Sequence, residues 1–300
     1  MTKKIVTIGT RGSDLAMWQA HFLQSELQRI GLESKLEIIS TKGDRIQDLS
    51  FNKIEGKGFF TKEIEDALLD GSIDIAVHSM KDLPTNGPED LVIAAVSYRE
   101  KVNDCLLLRK NVLDGQTIHH MPRGTVIGTS SARRKCQIKD IFPQVVTKDI
   151  RGNVPTRLAK LRSGDFDGIL LASAGLERLK LDVSDLDVFH LNPKEFVPAP
   201  AQGVLAFQCR KVDVETRKAL AQIHNSEVAS QIMIERKVLN MMEGGCQMPL
   251  GVYCEKDQDG YYHVSAAFAE HADAPIRRVF TSRSTTDGLV QIIFDLLKNP

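Results

Sequence analysis

Short apolar runs alternate with amphipathic runs through the first two-thirds of this chain, which is the pattern of parallel α/β units. Residues 4–10 predict a buried strand, and Ala16, Ala20, Leu23, Leu27 and Ile30 follow as a stripe at helical spacing. Residues 35–40 predict a second strand. Residues 61–69 predict a helix with Glu63 and Glu65 in its first turn and Gly71 as its stop. Strands at 73–78 and 91–97 complete a first set, and a second set begins near residue 100. It holds strands at 105–108, 125–128 and 169–172 and helices at 132–142 and 154–162, with Pro155 in a first turn, where a missing N–H costs nothing. The two sets echo each other. Ile8-Gly9-Thr10 recurs as Ile127-Gly128-Thr129, and Gly71-x-x-Asp74 recurs as Gly164-x-x-Asp167 before another apolar strand. The echoes predict two similar lobes facing each other across a cleft. Pro198-Ala-Pro200 then marks a crossing, and 203–208 predicts a strand returning to the first lobe.

The last third differs. A long helix at 227–242 leads to Gly244-Gly245-Cys246, and Asp259-Gly260 between strands at 252–254 and 262–268 signals a hairpin. A strand at 277–281 and a helix at 287–297 close a small α+β unit. The expected domains are 1–98 with 199–217, then 99–198, then 218–300. A chain of 300 residues buries enough surface to fold without a disulfide or metal staple. Lys plus Arg equals Asp plus Glu at 39 each, so no global field recruits nucleic acid or an anionic membrane, and neither is expected as a partner. The apolar runs fall short of a membrane span, and Met1-Thr-Lys-Lys-Ile-Val6 lacks the apolar core of a leader. Five cysteines without a CxxC pair read as free thiols in a reducing cytoplasm.

Arginine sits where anions bind. In open α/β sheets ligands lie at the carboxyl ends of strands, beside helix N-termini. Arg11-Gly12-Ser13 follows the first strand, Thr129-Ser130-Ser131-Ala132-Arg133-Arg134 follows Ile127-Gly128, and Arg151-Gly152-Asn153 precedes the helix holding Arg157. Between 123 and 178 eleven Lys and Arg stand against five acids, a local excess of six. Any one of these arginines reads equally as a solvated surface charge. Their repetition at strand ends favours a ligand with several negative groups, gripped two-pronged by guanidinium. Walker A and convincing GxGxxG motifs are absent, so a polycarboxylate fits at least as well as a nucleotide. No metal-ligand motif stands out. Asp82, in Lys81-Asp82-Leu83-Pro84 after a strand, is a candidate catalytic acid group. An Asp among arginines keeps its charge, which suits stabilising a cation; the alternative is a turn residue paired with Lys81. Gly244 and Gly245 would present Cys246 on a flexible loop; an ordinary buried cysteine, or a partner for Cys254, is the alternative. Residues 43–60, with Lys53, Lys57 and Phe60, read either as a lid or as a disordered surface loop.

Six stretches together resemble the porphobilinogen deaminase (hydroxymethylbilane synthase) family. They are Ile8-Gly-Thr-Arg-Gly-Ser-Asp-Leu-Ala-Met-Trp-Gln-Ala20, Val77-His-Ser-Met-Lys-Asp-Leu-Pro84, Gly128-Thr-Ser-Ser-Ala-Arg-Arg134, Asp149-Ile-Arg-Gly-Asn-Val154, Ala172-Ser-Ala-Gly-Leu-Glu-Arg178 and Gly244-Gly-Cys-Gln-Met-Pro-Leu-Gly251. They follow the family's order over essentially the whole chain. Ala201 departs from the family's usual Gly before Gln202-Gly203, and Met17 replaces a common Leu.

The resemblance implies an α/β fold of two doubly wound, periplasmic-binding-protein-like (type II) lobes plus a smaller α+β third domain. It implies a dipyrromethane cofactor held by a thioether to Cys246, and porphobilinogen as the small-molecule substrate. Units would be added with loss of ammonia and the linear tetrapyrrole then hydrolysed off. Asp82 would accept hydrogen bonds from pyrrole N–H groups and stabilise the cation left by ammonia. Arg11, Ser13, Lys81, Thr129 and Ser131 would bind side-chain carboxylates. So would Arg133, Arg134, Arg151, Arg157 and Arg178. Gln19 would line the site, and Lys53, Lys57 and Phe60 would close over it. The rivals are a non-enzymatic anion receptor with two lobes, which leaves Asp82 and Cys246 idle, and a transferase of phosphorylated substrates, which lacks its phosphate loop. A neutral surface leads to the expectation of a monomer.

Overall fold

The computed structural model describes residues 5–42, 61–113, 115–243 and 248–298. The chain forms two compact units, residues 1–100 with 203–230 and residues 101–202 with 231–300.

In the first unit, β1 (Val6–Thr10), β2 (Ser34–Ile38), β3 (Ile75–Ser79), β4 (Leu91–Val96) and β10 (Leu205–Arg210) form one sheet in the order β2-β1-β3-β10-β4. β1 runs parallel to β2 and β3, while β10 is antiparallel to both β3 and β4. The helical stripe becomes α1 (Asp14–Arg29), whose Ala20, Leu23 and Leu27 pack on Ile8, Val77 and Phe207. Burying a side chain such as Leu23 stabilises by roughly 1.5–3 kcal/mol. A shorter helix, α2 (Lys62–Leu69), buries Ile64 and Leu68.

The second unit repeats the plan. From one edge of its sheet to the other, the strands are β7 (Val146–Lys148), β6 (Val126–Gly128), β8 (Gly168–Ala172), β5 (Asp104–Arg109) and β9 (Leu186–His190). β6 is parallel to β7 and β8, and β5 is antiparallel to β8 and β9. Helices α3 (Ala132–Ile141), α4 (Val154–Arg162) and α5 (Ser173–Leu179) accompany it. The alternating pattern predicted parallel units; both sheets are instead mixed, because β5 and β10 enter against their neighbours.

The Gly-x-x-Asp echo has a physical basis. Gly71 and Gly164 take φ of +82° and +91°, the left-handed turn that ends α2 and α4. Three residues on, Asp74 accepts a hydrogen bond from the Thr7 N–H at 3.0 Å, and Asp167 accepts one from the Val126 N–H at 2.8 Å. Each Asp then pairs with an arginine at the end of the antiparallel strand. Arg210 Nη2 lies 3.1 Å from Asp74, and Arg109 Nη2 lies 2.7 Å from Asp167.

Two further helices, α6 (Val214–Ala221) and α7 (Ser226–Met241), lead into the last part of the chain. There β11 (Leu250–Lys256), β12 (Tyr262–Phe268) and β13 (Arg277–Arg283) form an antiparallel sheet covered by α8 (Leu289–Lys298). The predicted hairpin pairs Leu250 with Phe268 and Lys256 with Tyr262, and Gly260 supplies a φ of +89° at its turn. Val238, Val252, Val264 and Ile293 fill its core. This sheet docks within the second unit: the Val252 N–H donates to the Pro198 carbonyl at 3.1 Å, and Arg278 pairs with Asp140 at 2.7 Å. No helix among the described residues is long and apolar enough to cross a membrane.

Ala201, where the resemblance expects Gly, adopts a left-handed turn with φ of +61° and no exposed surface. Its N–H donates to Glu235 at 2.6 Å, and Glu235 also accepts from the Cys254 N–H at 2.8 Å. In Ala201→Gly, relief of about 1–2 kcal/mol of left-handed strain is offset by loss of a buried methyl and by a looser unfolded chain. That variant is expected to unfold within about 1 kcal/mol of the parent. Ala201→Val places a β-branched side chain at positive φ and is expected to lose about 1–3 kcal/mol. Chemical denaturation of both variants checks the pair.

Candidate active site

In the first sheet the parallel strands β1 and β3 end side by side, so the loops after Thr10 and Ser79 leave from the same edge. Arg11 and Ser13 occupy the first loop. Ser13 is the extended N-cap residue of α1, with no side-chain capping bond, and Asp14 complements the helix dipole in the first turn. Gln19, buried in α1, donates from Nε2 to Ser79 Oγ at 2.8 Å and so ties the helix to the end of β3. After Ser79 the chain makes one 3-10 turn, Met80–Asp82. Met80 and Leu83 are buried on either side of it, the Met80 N–H donates to the Val204 carbonyl at 2.9 Å, and the turn closes from Leu83 N–H to the Met80 carbonyl. Between these anchors Lys81 is half-buried and Asp82 is exposed. Just before them, His78 bonds to Gln208 at 3.1 Å, and burial pushes its imidazole down to about 4, so it is neutral and structural.

In the second sheet β6, β7 and β8 also end at one edge. Thr129, Ser131, Arg133 and Arg134 follow β6, Arg151 follows β7, and Arg178 lies in α5 directly after β8. Ser131 caps α3 by accepting from the Arg134 N–H at 3.4 Å, and Thr129 Oγ1 accepts from the Ser131 N–H at 3.3 Å. Arg157 Nε donates to the Gly152 carbonyl at 2.8 Å, closing the loop that carries Arg151.

Arg133 and Arg134 depart from the simple expectation of surface grips. Both are buried, and both reach Asp104 at the start of β5, which has no exposed surface. Arg133 Nη1 lies 2.8 Å from Oδ2, and Arg134 Nη2 lies 2.8 Å from Oδ1. Gln202 Nε2 donates to the same Oδ1 at 2.9 Å. Burial works against the charge on Asp104, but the two guanidinium groups hold its carboxyl well below the usual carboxylate range. Two cations against one anion leave the cluster one positive charge in excess. Arg134 Nε is a buried donor without a hydrogen-bond partner among the described residues, and Asp104 Oδ2, though beside Arg133, accepts no well-aligned hydrogen bond either. Sequence reasoning missed Asp104 and Gln202. The available signal was an acid opening the apolar run Asp104-Cys-Leu-Leu-Leu108, since a buried carboxylate needs a cationic partner.

Lys53, Lys57, Phe60 and Cys246 lie outside the described residues. Of the other cysteines, burial pushes the Cys105 thiol up to about 12 and those of Cys136 and Cys209 to about 11.

Residues 6–218 match the family described as porphobilinogen deaminase, dipyrromethane cofactor binding domain, and residues 229–268 match the porphobilinogen deaminase C-terminal domain. Porphobilinogen deaminase of Sulfurimonas denitrificans is 43% identical over 88% of this chain and 83% of its own length. The enzyme of the same name from Shouchella clausii is 45% identical over 86% of this chain and 82% of its own. Among solved structures, the second substrate binding domain of a putative amino acid ABC transporter from Streptococcus pneumoniae aligns with 11% identity and a TM-score of 0.45, over 76% of this chain and 93% of that one. That likeness is too distant to bear on the site. The two domain matches and the identity over most of its length place this chain in the porphobilinogen deaminase family.

Proposed function

We propose that Asp82 is the catalytic residue, and Cys246 the cofactor's attachment point, of a transferase that condenses porphobilinogen head to tail into hydroxymethylbilane. The single observation that carries the site assignment is the buried Arg133–Arg134–Asp104 cluster, with its excess positive charge and the open donor at Arg134 Nε. Dipyrromethane and porphobilinogen both carry acetate and propionate side chains, and a carboxylate would balance the excess positive charge and meet the open donor at Arg134 Nε. The residues present therefore fit the group. When bound, the dipyrromethane offers the free pyrrole carbon to which the next unit is joined.

The chain's own residues do the rest. Arg11, Ser13 and Lys81 in the first unit bind side-chain carboxylates, as do Thr129, Ser131, Arg133 and Arg134 in the second. Arg151, Arg157 and Arg178 extend that grip, and Gln19 steadies Ser79 beside Asp82. Porphobilinogen enters with its aminomethyl group as an ammonium, so breaking the C–N bond releases neutral ammonia and leaves the positive charge on the pyrrole. Asp82 accepts a hydrogen bond from the pyrrole N–H and stabilises that cation. Asp82 would also be placed to take up the proton displaced where the units are joined. The raised thiols of Cys105, Cys136 and Cys209 are poor nucleophiles, which favours Cys246 for attachment. Buried, unbridged thiols at those three positions also suit the cytoplasm.

The test is the intact mass of the denatured, purified protein, with Ehrlich's reagent beside it. The expected result is a mass above that of the sequence by one dipyrromethane, mapped to the Cys246 peptide and staining for pyrrole. An unmodified protein that still builds no primer after incubation with porphobilinogen would refute the proposal.

A further inference from the structure

We propose that Asp104 is a positioning residue, the internal counter-ion that aims Arg133 and Arg134 at the carboxylates of cofactor and substrate. The inference rests on the reading of those two arginines as carboxylate-binding. Adjacent arginines at the start of one helix repel each other and, unheld, turn toward water. Here Arg134 is held at both terminal nitrogens and Arg133 through Nη1 alone. Arg133 Nη1 lies against Asp104 and donates to the Val197 carbonyl at 2.8 Å; Arg134 gives Nη2 to Asp104 and Nη1 to the Leu170 carbonyl at 2.9 Å. A guanidinium is rigid and planar, so fixing its Nη side determines where its Nε edge points. For Arg134 that edge is the buried donor with no partner among the described residues.

Asp104 is itself fastened. Gln202 donates from Nε2 to Asp104 Oδ1 at 2.9 Å and to the Val102 carbonyl at 2.8 Å. Residues 102–104 lie where the chain enters the second unit, and Gln202 lies where it leaves. The counter-ion is thus held by both connecting segments, within the same unit as the arginines. Charge and geometry work together: one carboxylate between two arginines lowers their mutual repulsion without cancelling the net positive charge that a carboxylate ligand needs.

The full-length chain is tested as Asp104→Asn, which removes the charge, and as Asp104→Glu, which keeps the charge but displaces the oxygens. For each, thermal unfolding is recorded. The fraction of protein carrying a covalent pyrrole group is followed by mass after apo-protein is mixed with porphobilinogen. KM and kcat are then measured on the loaded fraction. Asp104→Asn is expected to acquire the group at least about tenfold more slowly and, once loaded, to show KM raised about tenfold with a smaller change in kcat. Asp104→Glu is expected to recover part of both losses. Folded Asp104→Asn protein that loads at the parental rate with parental KM would overturn the proposal. If Asp104→Asn does not fold, Asp104→Glu decides: parental loading and KM would overturn the proposal, and slower loading with raised KM in a stably folded protein would support it. Failure of the parent protein to load would instead sink the functional reading beneath it.

Discussion

Asp82→Ala is expected to fold as the parent does and to lose about 10³-fold in kcat, within the range a positioned acid–base or electrostatic group supplies. The side chain is exposed at the end of a single 3-10 turn, and the turn is held by Met80 and Leu83, which are buried. Truncating an exposed side chain leaves no cavity, so thermal unfolding should move little. The loss belongs to the step in which charge appears, when ammonia departs and the pyrrole becomes cationic. KM should change little, because carboxylate recognition rests on the arginine loops. Asp82→Asn keeps the shape without the charge and should remain far below the parent. Steady-state kinetics beside a denaturation curve checks both halves, and near-normal turnover would remove Asp82 from the mechanism.

Cys246→Ser should be the most complete loss of all. A serine hydroxyl is a far weaker nucleophile than a thiolate, so the variant should carry no covalent pyrrole, stain negative with Ehrlich's reagent and make no tetrapyrrole. Another cysteine is not expected to substitute, since Cys105, Cys136, Cys209 and Cys254 are all buried, the first three with their thiols pushed above the usual range. A Cys246→Ser protein whose intact mass still includes a dipyrromethane would reassign the attachment.

Much of the architecture could be read because its signals are local. The stripe from Ala20 to Leu27 marked α1, and Asp259-Gly260 marked the hairpin of β11 and β12. The repeated Gly-x-x-Asp was legible as an echo because each copy solves the same problem, ending a helix and then holding an N–H of the neighbouring parallel strand. What escaped was non-local. β7 has three residues and buries none of them, so no apolar run marks it. The antiparallel entry of β10 depends on partners more than a hundred residues earlier, so its own apolar run could not reveal its direction. At the site, the arginines were visible as a repeated residue type, but the acid between them was not. Asp104 lies about thirty residues before Arg133 and Arg134, and only the folded sheet places it beside them.

The order of strands in the first sheet sets a schedule for synthesis. The second sheet is built from one uninterrupted stretch, β5 through β9, and can close as soon as that stretch leaves the ribosome. The first cannot, because β10 lies between β3 and β4. At about 5–20 residues per second, roughly 6–20 s separate the making of β4 from that of β10. During that interval the apolar strand Leu-Val-Ile-Ala-Ala-Val of β4 has no partner in its own sheet. Such a strand is a template for pairing with a neighbouring nascent chain. Of the two five-stranded sheets, the one whose translation begins first is completed last, and its window of exposure lengthens whenever translation slows between residues 96 and 205.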